Sequence, residues 1–453
     1  MHARVPGCGL IVERPAAPTF GEALRFWLQL GFISFGGPAG QIALMHSELV
    51  ERRRWISERR YLHALNYCML LPGPEAQQLA TYIGWLLHGT RGGIAAGTLF
   101  VLPSLVILIA LSWLYMAYGQ TPAVAGILWG IKPAVTAIVL AAAWRIGKRA
   151  LRNGVLWAIA LAAFVAIWAL HAPFPLIVLG AALVGVLGAR VAPQYFRSGG
   201  GHGGKAAAAL PAVIDDDTPT PARARFSRPR LARQVAAGLG LWAAAMVLLL
   251  WQGGLHGTLT QMGWFFSKAA LLTFGGAYAV LPYVAQAAVG HHGWLTAAQM
   301  IDGLALGETT PGPLIMVVAF VAFVGGWTQP MFGADHLFAA ALAGACVATF
   351  FTFLPSFLFI LAGGPLVEAT HGDLSFTAPL VAITAAVVGV IVNLALFFAR
   401  HVLWPAGFDG RFEWASAAIG LAAALALMRF NVSVVKVIGV CAALGLAHEL
   451  VLR

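Results

Sequence analysis

Apolar residues run along this chain in blocks too long and too uniform for the helices of a soluble domain. Ile159 to Leu170, Leu176 to Leu187 and Val235 to Trp251 are almost free of polar side chains. A helix that crosses a bilayer needs about 20 mostly apolar residues. The pattern therefore predicts spans near 94–115, 122–144, 154–170, 175–189 and 234–251. Two further apolar stretches, 20–45 and 61–88, are interrupted by Gly and Pro, and they predict broken helices that turn back on themselves. Irregular backbone at membrane depth is tolerated only where protein or a cavity surrounds it.

Residues 190–233 lack any hydrophobic period and are rich in Gly, Pro, Ala and Arg, so they predict a flexible linker. The linker separates two hydrophobic regions, 1–189 and 234–453, and these repeat one another. Phe35-Gly36-Gly37 recurs as Phe274-Gly275-Gly276, an offset of 239 residues that also carries Trp55 onto Trp294 and Pro72-Gly73-Pro74 onto Pro311-Gly312-Pro313. Further along the offset becomes 252, and Leu102-Pro103-Ser104 meets Leu354-Pro355-Ser356.

Charge adds orientation. Loop 46–60 holds Arg52, Arg53, Arg54, Arg59 and Arg60, whereas its counterpart 285–299 holds no Lys or Arg. Lys and Arg accumulate on the cytoplasmic side. The two copies are therefore expected to face opposite sides of the membrane, with the basic linker in the cytoplasm. The fold class expected is an all-α polytopic membrane protein, built as two homologous halves in an inverted repeat with re-entrant helices. Such repeats characterise secondary transporters.

Composition agrees: 60% of the 453 residues are hydrophobic and only 10% charged. A soluble domain carries about 25% charged residues, so a soluble enzyme or a nucleic-acid binder is excluded as a description of the whole chain. The net charge of +11 reads as a topology signal and a contact with the lipid bilayer, with no nucleic acid implied. The four cysteines, Cys8, Cys68, Cys346 and Cys441, have no paired spacing. No metal-ligand cluster, P-loop or nucleophile motif is present, so no catalytic residue, metal or cofactor is expected.

Chemistry is expected at the breaks. Pro38 and Pro74 suit the first position of a new helix, and Gly36, Gly37, Gly40 and Gly73 let the chain turn and bare its N–H groups. A helix N-terminus at mid-membrane offers such donors and roughly +0.5 of partial charge to an anion. Gly275, Gly276, Thr310, Pro311, Gly312 and Pro313 repeat the arrangement, although Ala277 stands where the first copy has Pro38. Lys132, within its span, is a candidate anion contact or an interfacial anchor. Gln77, Gln78, Thr81 and Thr309 are further polar candidates, for substrate or for helix contacts. Glu75, Asp302 and Glu308 are the acids placed to carry a proton, with helix capping the alternative for Glu75.

The segments FGGPAGQIALMHSELVERRRWIS (35–57), LLPGPEAQQLATYIGW (70–85), TFGG (273–276) and TTPGP (309–313) resemble the chromate ion transporter family, in its long, two-domain form. The resemblance implies chromate efflux across the inner membrane, driven by the proton motive force and conferring chromate resistance. It places the family motifs on Phe35 to Gly40, Pro72 to Gln78, Phe274 to Gly276 and Pro311 to Pro313. Sulfate presents nearly the same tetrahedral surface as chromate, so a sulfate carrier and an uncoupled anion pathway stand as alternatives. The oligomeric state stays open, with a homodimer among the options.

Overall fold

The computed structural model describes residues 3–4, 11–12, 14–196, 211–218, 225–329, 331–370 and 377–451. Almost all of these residues are helical. Residues near Thr19 begin the first helix with a capping box: the Thr19 hydroxyl accepts from the Glu22 N–H, and the Glu22 carboxylate accepts from the Thr19 N–H.

Helices α1 (Phe20–Ile33) and α2 (Gly37–His46) are separated at Ser34 to Gly36, and α3 (Glu58–Leu70) and α4 (Glu75–Tyr118) at Leu71 to Pro74. These breaks fall on the FGG and PGP motifs. Helix α4 is itself bent sharply at His88 and Gly89, where Gly89 has φ +68°. Its short arm folds back along its long arm, so that the Gly84 backbone lies against Gly92 and Ala96, and Gly93 against Thr81. Only a glycine turns the chain this way without Cβ strain. Helices α5 (Pro122–Ala150), α6 (Gly154–Trp168) and α7 (Phe174–Val191) complete the first half.

The second half repeats this order. Helix α8 (Arg228–Gly253) is additional and begins six residues before the expected linker boundary. Helices α9 (Thr258–Leu271), α10 (Ala277–Ala285), α11 (Ala297–Thr309), α12 (Val317–Thr328), α13 (Leu337–Thr370), α14 (Thr377–Leu403), α15 (Trp414–Met428) and α16 (Val434–Val451) follow. Equivalent helices start alike: Ser57 caps α3 and Thr296, 239 residues on, caps α11. Among the described residues seven helices are long and apolar enough to cross a membrane: α4, α5, α7, α8, the α13 region, α14 and α16.

The halves interleave rather than sit side by side. Helices α6 and α7 pack on α14 of the other half, α15 and α16 pack on α5, and α4 lies against α13. The shared core is lined by Trp27, Phe100, Phe320, Phe351 and Phe398, all essentially inaccessible.

The linker departs from expectation in its described part. Residues 211–218 are docked rather than free: Val213 and Ile214 N–H donate to the Arg54 and Trp55 carbonyls, and Ser57 N–H donates to Ile214. Ala212 and Ile214 are buried there, which offsets the entropy of ordering the segment. Residues 197–210 and 219–224 of the linker lie outside the described residues.

Candidate functional site: four turns at the centre of the interleaved halves

The four helix breaks divide into two kinds with different work. At the PGP turns the glycine N–H is already used, and each is bonded across the halves. Gly73 donates to the carbonyl of Thr273 at 2.7 Å, and Gly312 donates to the carbonyl of Ser34 at 2.8 Å. Ser34 and Thr273 are themselves equivalent residues, each sending its hydroxyl back one turn, to Leu30 at 2.6 Å and Ala269 at 2.7 Å. On the other side Gly73 abuts the Ser356 hydroxyl, and a Cβ on Gly312 would stand 2.7 Å from Cβ of Ser104. Each PGP turn is thus clasped between the FGG approach and the Leu-Pro-Ser helix of the opposite half. Both glycines have positive φ, +130° and +103°, so a side chain would meet backbone strain as well as a neighbour.

The proline positions differ slightly from expectation. Pro74 and Pro313 precede their helical turns as cap residues in extended conformation, and Pro38 is the second residue of α2. All three positions leave the missing N–H without cost, because the first N–H groups of a helix have no partner within it.

The FGG turns are open. A Cβ placed on Gly37 or Gly276 would meet nothing within 4 Å, and Gly36 and Gly275 face only loose neighbours, the latter Thr384. All four have positive φ, and among the described residues their N–H groups donate to no protein acceptor. These amides stand at the N-termini of α2 and α10, where the helix dipole favours negative charge. Phe35 is exposed and Phe274 partly buried, flanking the two turns.

Buried glutamines of the first half flank both PGP turns. Gln78 donates to the Pro72 carbonyl at 2.8 Å and Gln77 to the Thr81 hydroxyl at 3.1 Å, while Gln41, on α2, donates to the carbonyls of Ser34 and Gly312. All three glutamines are buried, and each keeps an amide oxygen without a protein partner. Under the 239-residue offset their counterparts are Val280, Met316 and Val317, so the polarity belongs to one half. Thr309 and Thr310 send their hydroxyls into the preceding turn of α11.

The acids separate by partner. Asp302, buried on α11, accepts from the Tyr115 hydroxyl at 3.0 Å and lies 3.6 Å from Lys132. Lys132 is therefore placed at an ion pair rather than at an FGG turn. Glu308 accepts from the hydroxyl of Tyr278, the second residue of α10, next to the open Gly276. Glu75 opens α4 and forms no ion pair among the described residues.

Sequence reasoning missed the clasp residues Ser34, Thr273 and Gln41, and the phenols Tyr115 and Tyr278. The recurrence of Ser104 and Ser356 was visible as repetition, but not as contact with the glycines. Gly40 packs on the Phe35 carbonyl within its own turn and reaches no other element.

The chromate transporter family model matches residues 21–186 and 260–446, one match in each half. The chain is 33% identical to the chromate transport protein of Pseudomonas aeruginosa over 396 residues, which cover 86% of this chain and 84% of that protein. It is 30% identical to the chromate transport protein of Cupriavidus metallidurans, over 85% of this chain and 84% of that one. An uncharacterized transporter of Methanocaldococcus jannaschii is 24% identical over 87% of this chain and 88% of its own length. No solved structure matches.

Proposed function

Because the chain belongs to the chromate transporter family, we propose that it exports chromate from the cytoplasm in exchange for protons and so confers chromate resistance. The observation that carries this reading is the pair of open FGG turns. Their uncommitted amides, Gly36 and Gly37 with Gly275 and Gly276, lie at two helix N-termini related by the repeat. A doubly charged oxyanion needs several donors without bringing a fixed cation that would trap it, and main-chain amides supply them. The PGP turns of Pro72 to Pro74 and Pro311 to Pro313 hold those turns in place through the cross-half bonds.

On this reading the halves are inverted in a cell's inner membrane, and the excess of Arg in loop 46–60 and the linker supports a cytoplasmic side for both. The proton is carried by Glu308, through its bond to Tyr278 beside the second turn, or by Glu75, which has no competing cation. Lys132 and Asp302 neutralise each other and offer the substrate no net charge.

Chromate uptake into everted vesicles, with and without an imposed pH gradient at zero membrane potential, tests this reading. Gradient-dependent chromate uptake is expected, with sulfate competing for it because the two anions present nearly the same surface. Equal uptake without the gradient would replace coupling by an uncoupled anion pathway, and preferential sulfate uptake would replace the substrate.

A further inference from the structure

Away from the four turns, two buried charged clusters tie the halves together. At one, Arg60 on α3 lies 3.4 Å from Glu368 on α13, and Tyr82 on α4 donates to the other carboxylate oxygen at 2.6 Å. At the other, Asp302 on α11 holds Lys132 of α5 and the Tyr115 hydroxyl of α4. Side-chain exposure is 16% for Arg60 and 8% for Glu368, and 29% for Lys132 against 4% for Asp302, so each pair has a buried carboxylate, unlike surface ion pairs. Removing one partner of a hidden pair strands the other and is strongly unfavourable, whereas exposed pairs contribute little.

The clusters occupy related places. Helices α3 and α11 correspond under the 239-residue offset, and Arg60, which maps onto Gln299, sits one turn from the position of Asp302. The long arm of α4 corresponds to α13 under the 252-residue offset, which carries Tyr115 onto Val367, beside Glu368. Each cluster therefore joins the start of the helix leading to a PGP turn with the tail of the long helix from the opposite half. In both, the second half supplies the carboxylate and the first half the cation and the phenol.

They also lie far apart. Tyr82 is on the short arm of α4, alongside residues 92–97 of the long arm. Tyr115 is some 20 residues further along that arm, which at 1.5 Å per residue is about 30 Å, the thickness of the hydrocarbon core. The four turns lie between the two ends.

We infer that Arg60–Glu368–Tyr82 and Lys132–Asp302–Tyr115 are the two gates of the transport cycle, each a charged latch between the halves that parts when its own end opens. The inference needs only that a pathway runs between the halves, and in that respect it rests on the transporter reading. Both latches are closed here, as in a state sealed at each end. The docked linker belongs to the first latch: Arg60 also donates to the Thr218 carbonyl at 2.7 Å, and the Ser57 hydroxyl donates to Asp216 at 2.6 Å. Opening that end must release 211–218 as well.

The test reads opening and not flux. Cys68 is fully buried on α3, two turns beyond Arg60. With Cys8, Cys346 and Cys441 replaced by serine, its reaction with a membrane-impermeant maleimide is followed in sealed vesicles of both orientations, without chromate. Glu368→Gln is expected to raise the rate at least about tenfold, from the side bearing the Arg60 loop alone. Asp302→Asn should leave it unchanged from that side and expose a cysteine introduced at Ala305 from the other. The exchanged pair Arg60→Glu with Glu368→Arg should return Cys68 to the parental rate. If Glu368→Gln does not accumulate, Tyr82→Phe gives the same test with a smaller increase. Unchanged Cys68 labelling in these variants, or labelling in the exchanged pair as fast as in Glu368→Gln, overturns the assignment. Failure of chromate uptake with these labelling results intact would remove the substrate and leave the gates.

Discussion

The loop after the first FGG hairpin and its counterpart in the second half share a backbone and differ in charge. Ser47–Arg52 and Gln286–His291 are both single π-helical turns, offset by 239 residues. Their closing bonds correspond as well: Trp55 N–H to Leu49 and Trp294 N–H to Ala288 are both 2.8 Å. Within this frame Arg53 lies over the rings of Phe26 and Trp55, at 4.6 and 5.4 Å. His292 takes the same place, stacked on Trp294 at 4.3 Å and edge-on to Phe265 at 5.8 Å. Burial, with His291 and Lys268 nearby, pushes the His292 pKa down to about 4, so this imidazole is neutral at physiological pH. One aromatic slot thus holds a cation in one half and an uncharged ring in the other. The repeat preserves geometry while side chains set the charge of each copy.

The comparison can be broken at its strongest point first. Gly73→Val and Gly312→Val should each abolish transport and lower the yield of folded protein, and to the same degree, because the clasps are equivalent. Yields from fluorescence-monitored size exclusion, with vesicle uptake, check this; damage confined to one half would mean that only one clasp matters. Next, Trp55→Ala and Trp294→Ala should each cost about 3–5 kcal/mol, seen as matching falls in thermal stability in detergent.

A smaller effect sharpens the difference in charge. Arg53→His should lose about 0.5–2 kcal/mol of cation–π attraction and weaken the orientation signal without altering the loop. Cysteine labelling from each side should find loops 46–60 and 285–299 on opposite faces, and finding them on one face removes the inversion. The smallest effect concerns pH. The folded pKa of His292 lies below its ordinary value of 6.5, so the unfolded chain binds the proton more readily between the two values. Stability should therefore fall as pH drops from about 6.5 towards 4. His292→Phe should flatten that part of the pH profile, measured by thermal unfolding.

Much of this architecture was legible because it is written in period and repetition. Four of the five expected spans, the extra helix α8 among them, the breaks at FGG and PGP, and the pairing of Trp55 with Trp294 follow from apolar block length and from Gly and Pro at fixed offsets; the span expected near 154–170 is instead the 15-residue α6, shorter than a membrane crossing needs. The cross-half bonds were not, for a physical reason. Repeat arithmetic pairs Gly73 with Gly312 and Ser34 with Thr273, whereas folding pairs Gly73 with Thr273 and Gly312 with Ser34. Such crossed partners are set by how the halves interlock, which composition does not encode. The same holds for Glu368, whose partners Arg60 and Tyr82 lie about 300 residues away in the chain, and for 211–218, a short stretch within a linker that has no hydrophobic period.

The crossed clasp also bears on what one half could be alone. Separated from its mate, a half would leave a glycine amide and a serine or threonine carbonyl unanswered in hydrocarbon, where each orphan costs several kcal/mol. A solitary half would have to recruit a second copy to complete itself. Joining both in one polypeptide supplies that mate at fixed stoichiometry.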